Sequence, residues 1–251
     1  MADRKRLGVI GGIGPMATAY FMELLTRMSD AKTDQEHMEI LVYSKPSIPD
    51  RTKYILGESG ESPLPAMLSA GEKLRDAGAE FLAIPCVTAH YFHADLEKGL
   101  GLPVINGLLE AADYLARERK TCVGIMATDG SIRSGLLEGI LRGHGIRSVM
   151  PDEESQKKVM SMVYGEIKAG KPVDMEKFMQ VSAELFEKGA QVILLACTEL
   201  SLIKKEHELP AGYLDILEVT ARCAVERCHH VRAEYEHLIT GHKRSETENA
   251  D

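Results

Sequence analysis

Two distant stretches of the chain end in the same way. Residues 80–90 read EFLAIPCVTAH and residues 191–200 read QVILLACTEL, each a short apolar run closed by a cysteine with a threonine one or two positions on. Brief apolar runs bounded by turn signals mark strands buried on both faces, as parallel sheets require. The first run, Leu7 to Ile10, ends in Gly11-Gly12-Ile13-Gly14-Pro15, and Met16 to Met28 then shows helical spacing of apolar residues. Cys122 to Met126 repeats that opening and ends in Ala127-Thr128-Asp129-Gly130-Ser131, ahead of the helix-like Leu136 to Leu141. Ile10 and Ile125 are 115 positions apart, and Cys86 and Cys197 are 111 apart. Offsets this close describe one plan used twice.

The remaining segments alternate in the same sense. Strands are expected at Met38 to Tyr43, Phe81 to Ile84, Pro103 to Ile105 and Val192 to Leu195. Helices are expected at Leu64 to Ala77, Thr88 to Leu96, Leu108 to Arg117, Glu153 to Ala169 and Met175 to Lys188. Strands alternating with helices give mostly parallel sheets. The expected fold is α/β, with two lobes of similar plan and mostly parallel sheets, related by a pseudo-twofold with a cleft between them. The first lobe is expected to take residues 1–115 plus 213–245 and the second 116–212, with a disordered polar tail over 241–251.

Charge and composition narrow the partners. A formal net charge of −8 on 251 residues leaves no basic stripe for nucleic acid, so an acidic ligand has to be drawn in by a local cluster of Arg and Lys. No apolar run reaches bilayer length, and Met1-Ala2-Asp3-Arg4-Lys5-Arg6 leads straight into the first strand, so a cytoplasmic protein without a membrane partner is expected. Five cysteines, an odd number, fit reduced thiols better than a disulfide framework.

In open α/β sheets the ligand crevice lies beyond the carboxyl ends of the strands, where Cys86 and Cys197 both fall. A pseudo-twofold places the two thiols face to face, each ahead of a helix whose N-terminal N–H groups favour a thiolate. Such a pair suits removal of a proton from one face of a carbon and its return to the other. Thr88, Thr198, Thr128 and Ser131 are short donors at the same strand ends, able to cradle the charge that develops. Cys122, Cys223 and Cys228 lack a matched turn and are read as packing residues. Gly12-Ile13-Gly14-Pro15-Met16-Ala17 has dinucleotide-site spacing, but the second strand runs into Ser44-Lys45-Pro46 with no acid for a ribose. His90, His93, Cys223, Cys228, His229 and His230 form no closed ligand set of zinc type, so no metal is expected.

Four stretches stand in an order that resembles the cofactor-independent aspartate/glutamate racemase family. They are Gly11-Gly12-Ile13-Gly14-Pro15-Met16-Ala17-Thr18, Ile48-Pro49-Asp50-Arg51-Thr52, Pro85-Cys86-Val87-Thr88-Ala89-His90 and Cys197-Thr198-Glu199. The resemblance implies two Rossmann-like lobes and a homodimer that racemises a small acidic amino acid, aspartate or also glutamate, with no pyridoxal phosphate and no metal. It makes Cys86 and Cys197 the acid/base thiols, and Arg51 and Lys168 the holders of the substrate carboxylates. Met16, Val87, Thr88, Thr128, Ser131, Tyr164, Thr198 and Glu199 join the substrate contacts. One position departs from the pattern: relatives commonly carry Asn after the first cysteine, and Val87 cannot supply its hydrogen bonds. Two other readings fit the same scaffold: cis-trans isomerisation of an unsaturated diacid, as in the related maleate isomerases, and a non-catalytic binding or redox-sensing protein whose thiols form a reversible disulfide.

Overall fold

The computed structural model describes residues 5–241; apart from Gly241, the tail expected at 241–251 lies outside them. The opening run forms β1 (Leu7–Gly11), fully buried, and α1 (Pro15–Met28) follows at once. Gly12 and Gly14 make the turn with φ of 84° and 98°, the left-handed region where a side chain is strained. A Cβ on Gly12 would sit 2.3 Å from the Lys45 nitrogen. Thr18 locks the turn from the first coil of the helix, its Oγ1 accepting from the Gly12 N–H at 2.9 Å.

The first lobe continues with β2 (Ile40–Ser44), α2 (Arg51–Leu56), α3 (Leu64–Asp76) and β3 (Phe81–Ala83). A 3₁₀ segment (Val87–Phe92), α4 (His93–Leu100) and α5 (Gly107–Arg117) complete it. Its sheet is parallel with order β2-β1-β3. The strand expected at Pro103 to Ile105 reduces to a single bridge, Val104 to Leu82. Pro103 has no N–H to give, and Asn106 already caps α5, so only two ladder bonds fit between them. The helix expected from Thr88 starts as the 3₁₀ segment and becomes α-helical at His93.

The second lobe comprises β4 (Cys122–Ala127), α6 (Asp129–Ser134), α7 (Leu136–Gly143), β5 (Arg147–Val149), α8 (Glu153–Met160), α9 (Met175–Glu187), β6 (Val192–Ala196), α10 (Thr198–Glu206), β7 (Tyr213–Asp215) and α11 (Ile216–Glu226). Its sheet is also parallel, with order β5-β4-β6-β7. Superposing the orders pairs β1 with β4, β3 with β6, and Val104 with β7. The long helix expected over Glu153 to Ala169 ends as an α-helix at Met160 and runs on as a π-helix to Ile167, where the Lys168 N–H bonds the Val163 carbonyl. The segment after 213 is shared: β7 joins the second sheet, and α11 packs on α1 and α5 of the first lobe.

That crossing helix explains the arrangement of the core. One apolar cluster unites Phe21 and Leu25 of α1, Leu108 and Leu115 of α5, and Leu217 and Val225 of α11 with the inner faces of both sheets. Separate clusters fill the outer faces under α3 and α4, and under α9 and α10. Each large aliphatic or aromatic side chain buried this way contributes about 1.5 to 3 kcal/mol. The lobes are therefore packed on each other from behind, and the cleft opens at the strand ends. Among the described residues no helix is long and apolar enough to cross a membrane.

Candidate active site

The two cysteines leave their strands with nearly the same backbone. Cys86 has φ −158° and ψ 110°, and Cys197 has φ −150° and ψ 130°; each is the cap residue before a helical segment. Both are buried and both line one small cavity at the strand ends. The wall also holds Arg51, Val87, Thr88, Thr128, Tyr164, Lys168, Thr198 and Glu199. Ile13 and Thr52 line it too, and neither was singled out from the sequence.

Arg51 reaches the cavity because α2 starts there. Asp50 caps that short helix, accepting from the Lys53 N–H at 3.0 Å, which sets the first side chain of α2 against the strand ends. The Arg51 guanidinium is buried, and one Nη1 donates to the carbonyls of Pro49 and Ile48 at 3.0 and 3.4 Å. Its Nε finds no partner. Burial works against its charge, but the Cys86 sulfur and the Asp50 carboxylate more than offset it and hold the pKa up. Among the described residues no carboxylate lies within ion-pair distance of Arg51. A buried cation with an unpaired N–H is prepared for an anionic ligand.

The π-turn brings Tyr164 and Lys168 to the opposite wall. Lys168 Nζ stands 4.1 Å from the centre of the Tyr164 ring and 3.7 Å from Glu199 Oε1. Burial opposes its charge as well, yet Glu199 and Cys197 raise its pKa, so it stays an ammonium. The Tyr164 hydroxyl donates to Asp50 Oδ2 at 3.3 Å, joining the two lobes across the cleft. Burial pushes that phenol up.

Glu199 is held close to Cys197, whose Sγ donates to Oε2 at 3.0 Å. It lies under the glycine turn, 3.1 Å from where a Cβ on Gly14 would stand. The helix N-terminus ahead of Cys197 was expected to favour a thiolate; the outcome is the reverse. Burial and the Glu199 carboxylate push the Cys197 thiol well up, and Lys168 only partly compensates. A dipole of about half a charge cannot match a full carboxylate in contact with a buried thiol. Cys197 therefore rests as a thiol.

Hydroxyls line the remaining wall. Thr88 Oγ1 lies 3.2 Å from Thr128 Oγ1 and 2.8 Å from Ser131 Oγ, and Thr52 Oγ1 donates to Thr128 at 3.4 Å. Ser131 stands behind this network, off the cavity wall, because α6 is capped by Thr128 and turns it inward. Met16 is 65 % exposed and lines an outer chamber between the glycine turn, Ile48 and Ile167 that shares Arg51, Lys168 and Glu199 with the thiol cavity but not the cysteines. His90 is fully packed beneath the Cys86 loop rather than on the surface.

The comparisons with known proteins point one way. Residues 10–224 match the Asp/Glu/Hydantoin racemase family. The chain is 22 % identical over 201 residues to RacX of Bacillus subtilis, a broad-specificity amino-acid racemase, covering 78 % of this chain and 86 % of that one. Its structure is similar to that of the aspartate racemase of Picrophilus torridus, with a TM-score of 0.76 at 28 % identity over 92 % of this chain and 97 % of the other. The glutamate racemase of Francisella tularensis, solved with D-glutamate, shares the fold at a TM-score of 0.62 and 18 % identity, over 89 % of this chain and 81 % of its own. The chain belongs to the Asp/Glu/Hydantoin racemase family and is an enzyme of the isomerase class.

Proposed function

We propose that the protein inverts the α-carbon of an acidic amino acid, aspartate first and glutamate also, by moving one proton off and one proton on through Cys86 and Cys197. The observation that carries this reading is that two thiols from pseudo-equivalent strand ends line one buried cavity with Arg51 and Lys168. Arg51, with its unpaired Nε, takes the α-carboxylate. Lys168, held by Glu199 at a loose 3.7 Å, is the cation nearest to a second carboxylate. Each charge-assisted contact of this kind is worth about 1.5 to 3 kcal/mol.

With the α-carbon between the sulfurs, the Cys86 thiolate takes the α-proton while Cys197, already a thiol, gives its own proton to the opposite face. The electron pair left by the C–H bond spreads onto the carboxylate beside Arg51 in the transition state, and the new C–H bond takes it back. Afterwards Cys86 carries the proton and Cys197 is the thiolate. The opposite enantiomer is handled by the same steps in reverse, and Glu199, 3.0 Å from Cys197 Sγ, is the nearest group to exchange that sulfur's proton. The hydroxyls of Thr88, Thr128 and Thr198 orient the substrate's ammonium and carboxylate. No cofactor enters these steps, and a homodimer in the cytoplasm belongs to the same reading.

The test is incubation of L-aspartate with the enzyme and with its Cys86→Ala and Cys197→Ala variants, following D-aspartate by chiral chromatography. Inversion by the wild type and its loss in both variants is expected. Normal inversion by either variant would eliminate the two-thiol mechanism, and conversion of maleate to fumarate without inversion would move the assignment to a diacid isomerase.

A further inference from the structure

Four residues after each thiol, the chain ties that thiol's loop to the start of a helix on the far side of the cleft floor. His90 follows Cys86 by four. Its Nδ1 lies 3.0 Å from the Cys86 carbonyl and 3.1 Å from that of Val87, and its Nε2 accepts from the Gly107 N–H at 3.1 Å, the first residue of α5. These partners fix the tautomer: Nδ1 carries the hydrogen and Nε2 is bare. Ser201 follows Cys197 by four. Its hydroxyl donates to Asp215 Oδ1 at 2.8 Å, and the same oxygen accepts from the Leu217 N–H at 2.8 Å, in the first turn of α11.

The two helices reached in this way pack on each other. At their contact stands Gly107, and a Cβ there would lie 2.2 Å from Thr220 Oγ1 and 3.5 Å from Ile216 Cγ2 of α11. Thr220 cannot swing away freely, because its hydroxyl donates to the Ile216 carbonyl at 2.7 Å. A continuous path of bonds and close contact thus runs from one thiol loop to the other behind the cavity: Cys86 to His90 to Gly107, across to α11, and through Asp215 and Ser201 to the helix that Cys197 caps.

We propose that His90 and the Ser201–Asp215 pair are positioning residues, and that the α5–α11 contact at Gly107 sets the separation of the two sulfurs. This rests on the two-thiol reading above. None of these groups touches the substrate cavity, so they act on the reaction only through where they hold Cys86 and Cys197. In-line transfer at both faces of one carbon leaves little tolerance, and a displacement of about 1 Å can lower a rate about 100-fold.

The experiment compares wild type, Gly107→Ala, and the double variant Gly107→Ala/Thr220→Ala on the amino acid that the wild type inverts fastest. A methyl at 107 pushes α5 from α11. The expected result is a fall in kcat of about 100-fold with KM within about twofold, since Arg51 and Lys168 are untouched. Removing the Thr220 hydroxyl makes room for the methyl and is expected to restore kcat to within about threefold of wild type. If Gly107→Ala does not fold, Ser201→Ala, which deletes one hydroxyl on the other tether, is expected to lower kcat about tenfold at unchanged KM. Wild-type kcat in Gly107→Ala or in Ser201→Ala, a rise in KM in place of a fall in kcat, or no rescue by Thr220→Ala would overturn the inference while leaving the two-thiol reading intact. Inversion that survives loss of either cysteine would instead remove the reading on which it rests.

Discussion

Cys86 and Cys197 occupy matching places in matching lobes, yet their surroundings are chemically unlike. Around Cys86 stand a cation without a carboxylate partner, Arg51, and a set of neutral hydroxyls. Around Cys197 stand a carboxylate in direct contact, Glu199, and a cation that the same carboxylate engages, Lys168. Even the tethers differ, a neutral imidazole on one side and a buried acid on the other. In the proposed reaction, the repeated fold supplies the two-sided geometry and the unlike neighbours supply the proton inventory. A two-base inversion needs one sulfur bare and the other protonated at any moment. Two identical half-sites would have no means of setting that difference; in the proposed reaction, burial and then Glu199 set it, both pushing the Cys197 thiol up.

The strongest way to break this comparison is to delete one side. Cys86→Ala and Cys197→Ala are each expected to lower inversion by about 10³-fold or more, within the range that a positioned acid or base supplies. Each variant keeps one base, so in D₂O each is expected to exchange the α-proton of one enantiomer only, and the two variants of opposite ones. Chiral separation followed by mass spectrometry reads this directly, and exchange of both enantiomers by one variant would contradict the assignment of one thiol to each face.

Removing the asymmetry without removing a thiol comes next. Glu199→Gln takes away the carboxylate that raises the Cys197 pKa while keeping a side chain of the same shape. Because burial remains, the thiol is expected to stay above its ordinary value but to titrate lower than in wild type. The pH dependence of Cys197 alkylation by iodoacetamide measures it. An unchanged profile would mean that burial alone sets the proton on Cys197.

A smaller effect is expected at the Cys86 side. Val87 is buried on the cavity wall and offers no hydrogen bond. Val87→Asn adds an amide donor, and if it reaches a substrate carboxylate the KM for aspartate is expected to fall about tenfold, the equivalent of one charge-assisted hydrogen bond. A KM that rises for aspartate and for every neutral amino acid alike would show that the valine packs and has no part in selecting the substrate.

A separate effect concerns stability rather than rate. Burial depresses the His90 pKa to about 4, with the carbonyls of Cys86 and Val87 opposing it. Unfolded, the imidazole titrates near 6.5, so the contribution is fully present above that pH and is lost as pH falls through about 4. The loss is about 3 kcal/mol over that window. His90→Asn keeps a donor near the Nδ1 position but cannot titrate. Denaturant unfolding at pH 7 and pH 4 is expected to show a smaller difference for the variant than for wild type.

Much of this arrangement was legible in the residues. The strand ends, the glycine turn and the paired cysteines announce themselves because buried parallel strands are nearly pure apolar runs, with turn chemistry at their ends. What escaped has a physical reason in each case. α2 is six residues long, too short for helical periodicity to register, and only the cap from Asp50 to Lys53 marks it. The π-turn that carries Tyr164 and Lys168 into the cleft departs from the 3.6-residue repeat on which pattern reading depends. The division of the last segment between lobes depends on β7 finding a place beside β6 while α11 crosses to α1, a tertiary choice that local patterning does not encode. Ser131 illustrates the finest grain, since its hydroxyl was readable but its place one layer behind the cavity follows from how Thr128 caps α6.

The most direct measurement follows the label in the wild-type enzyme. L-aspartate is incubated in D₂O and the two enantiomers are separated early, before the product accumulates. The expected result is D-aspartate that carries deuterium at the α-carbon while the remaining L-aspartate is still protonated, because the proton taken by one sulfur is not the one returned by the other. D-aspartate that retains its original hydrogen, or L-aspartate that gains deuterium as fast as its mirror image forms, would contradict a reaction carried by two separate thiols.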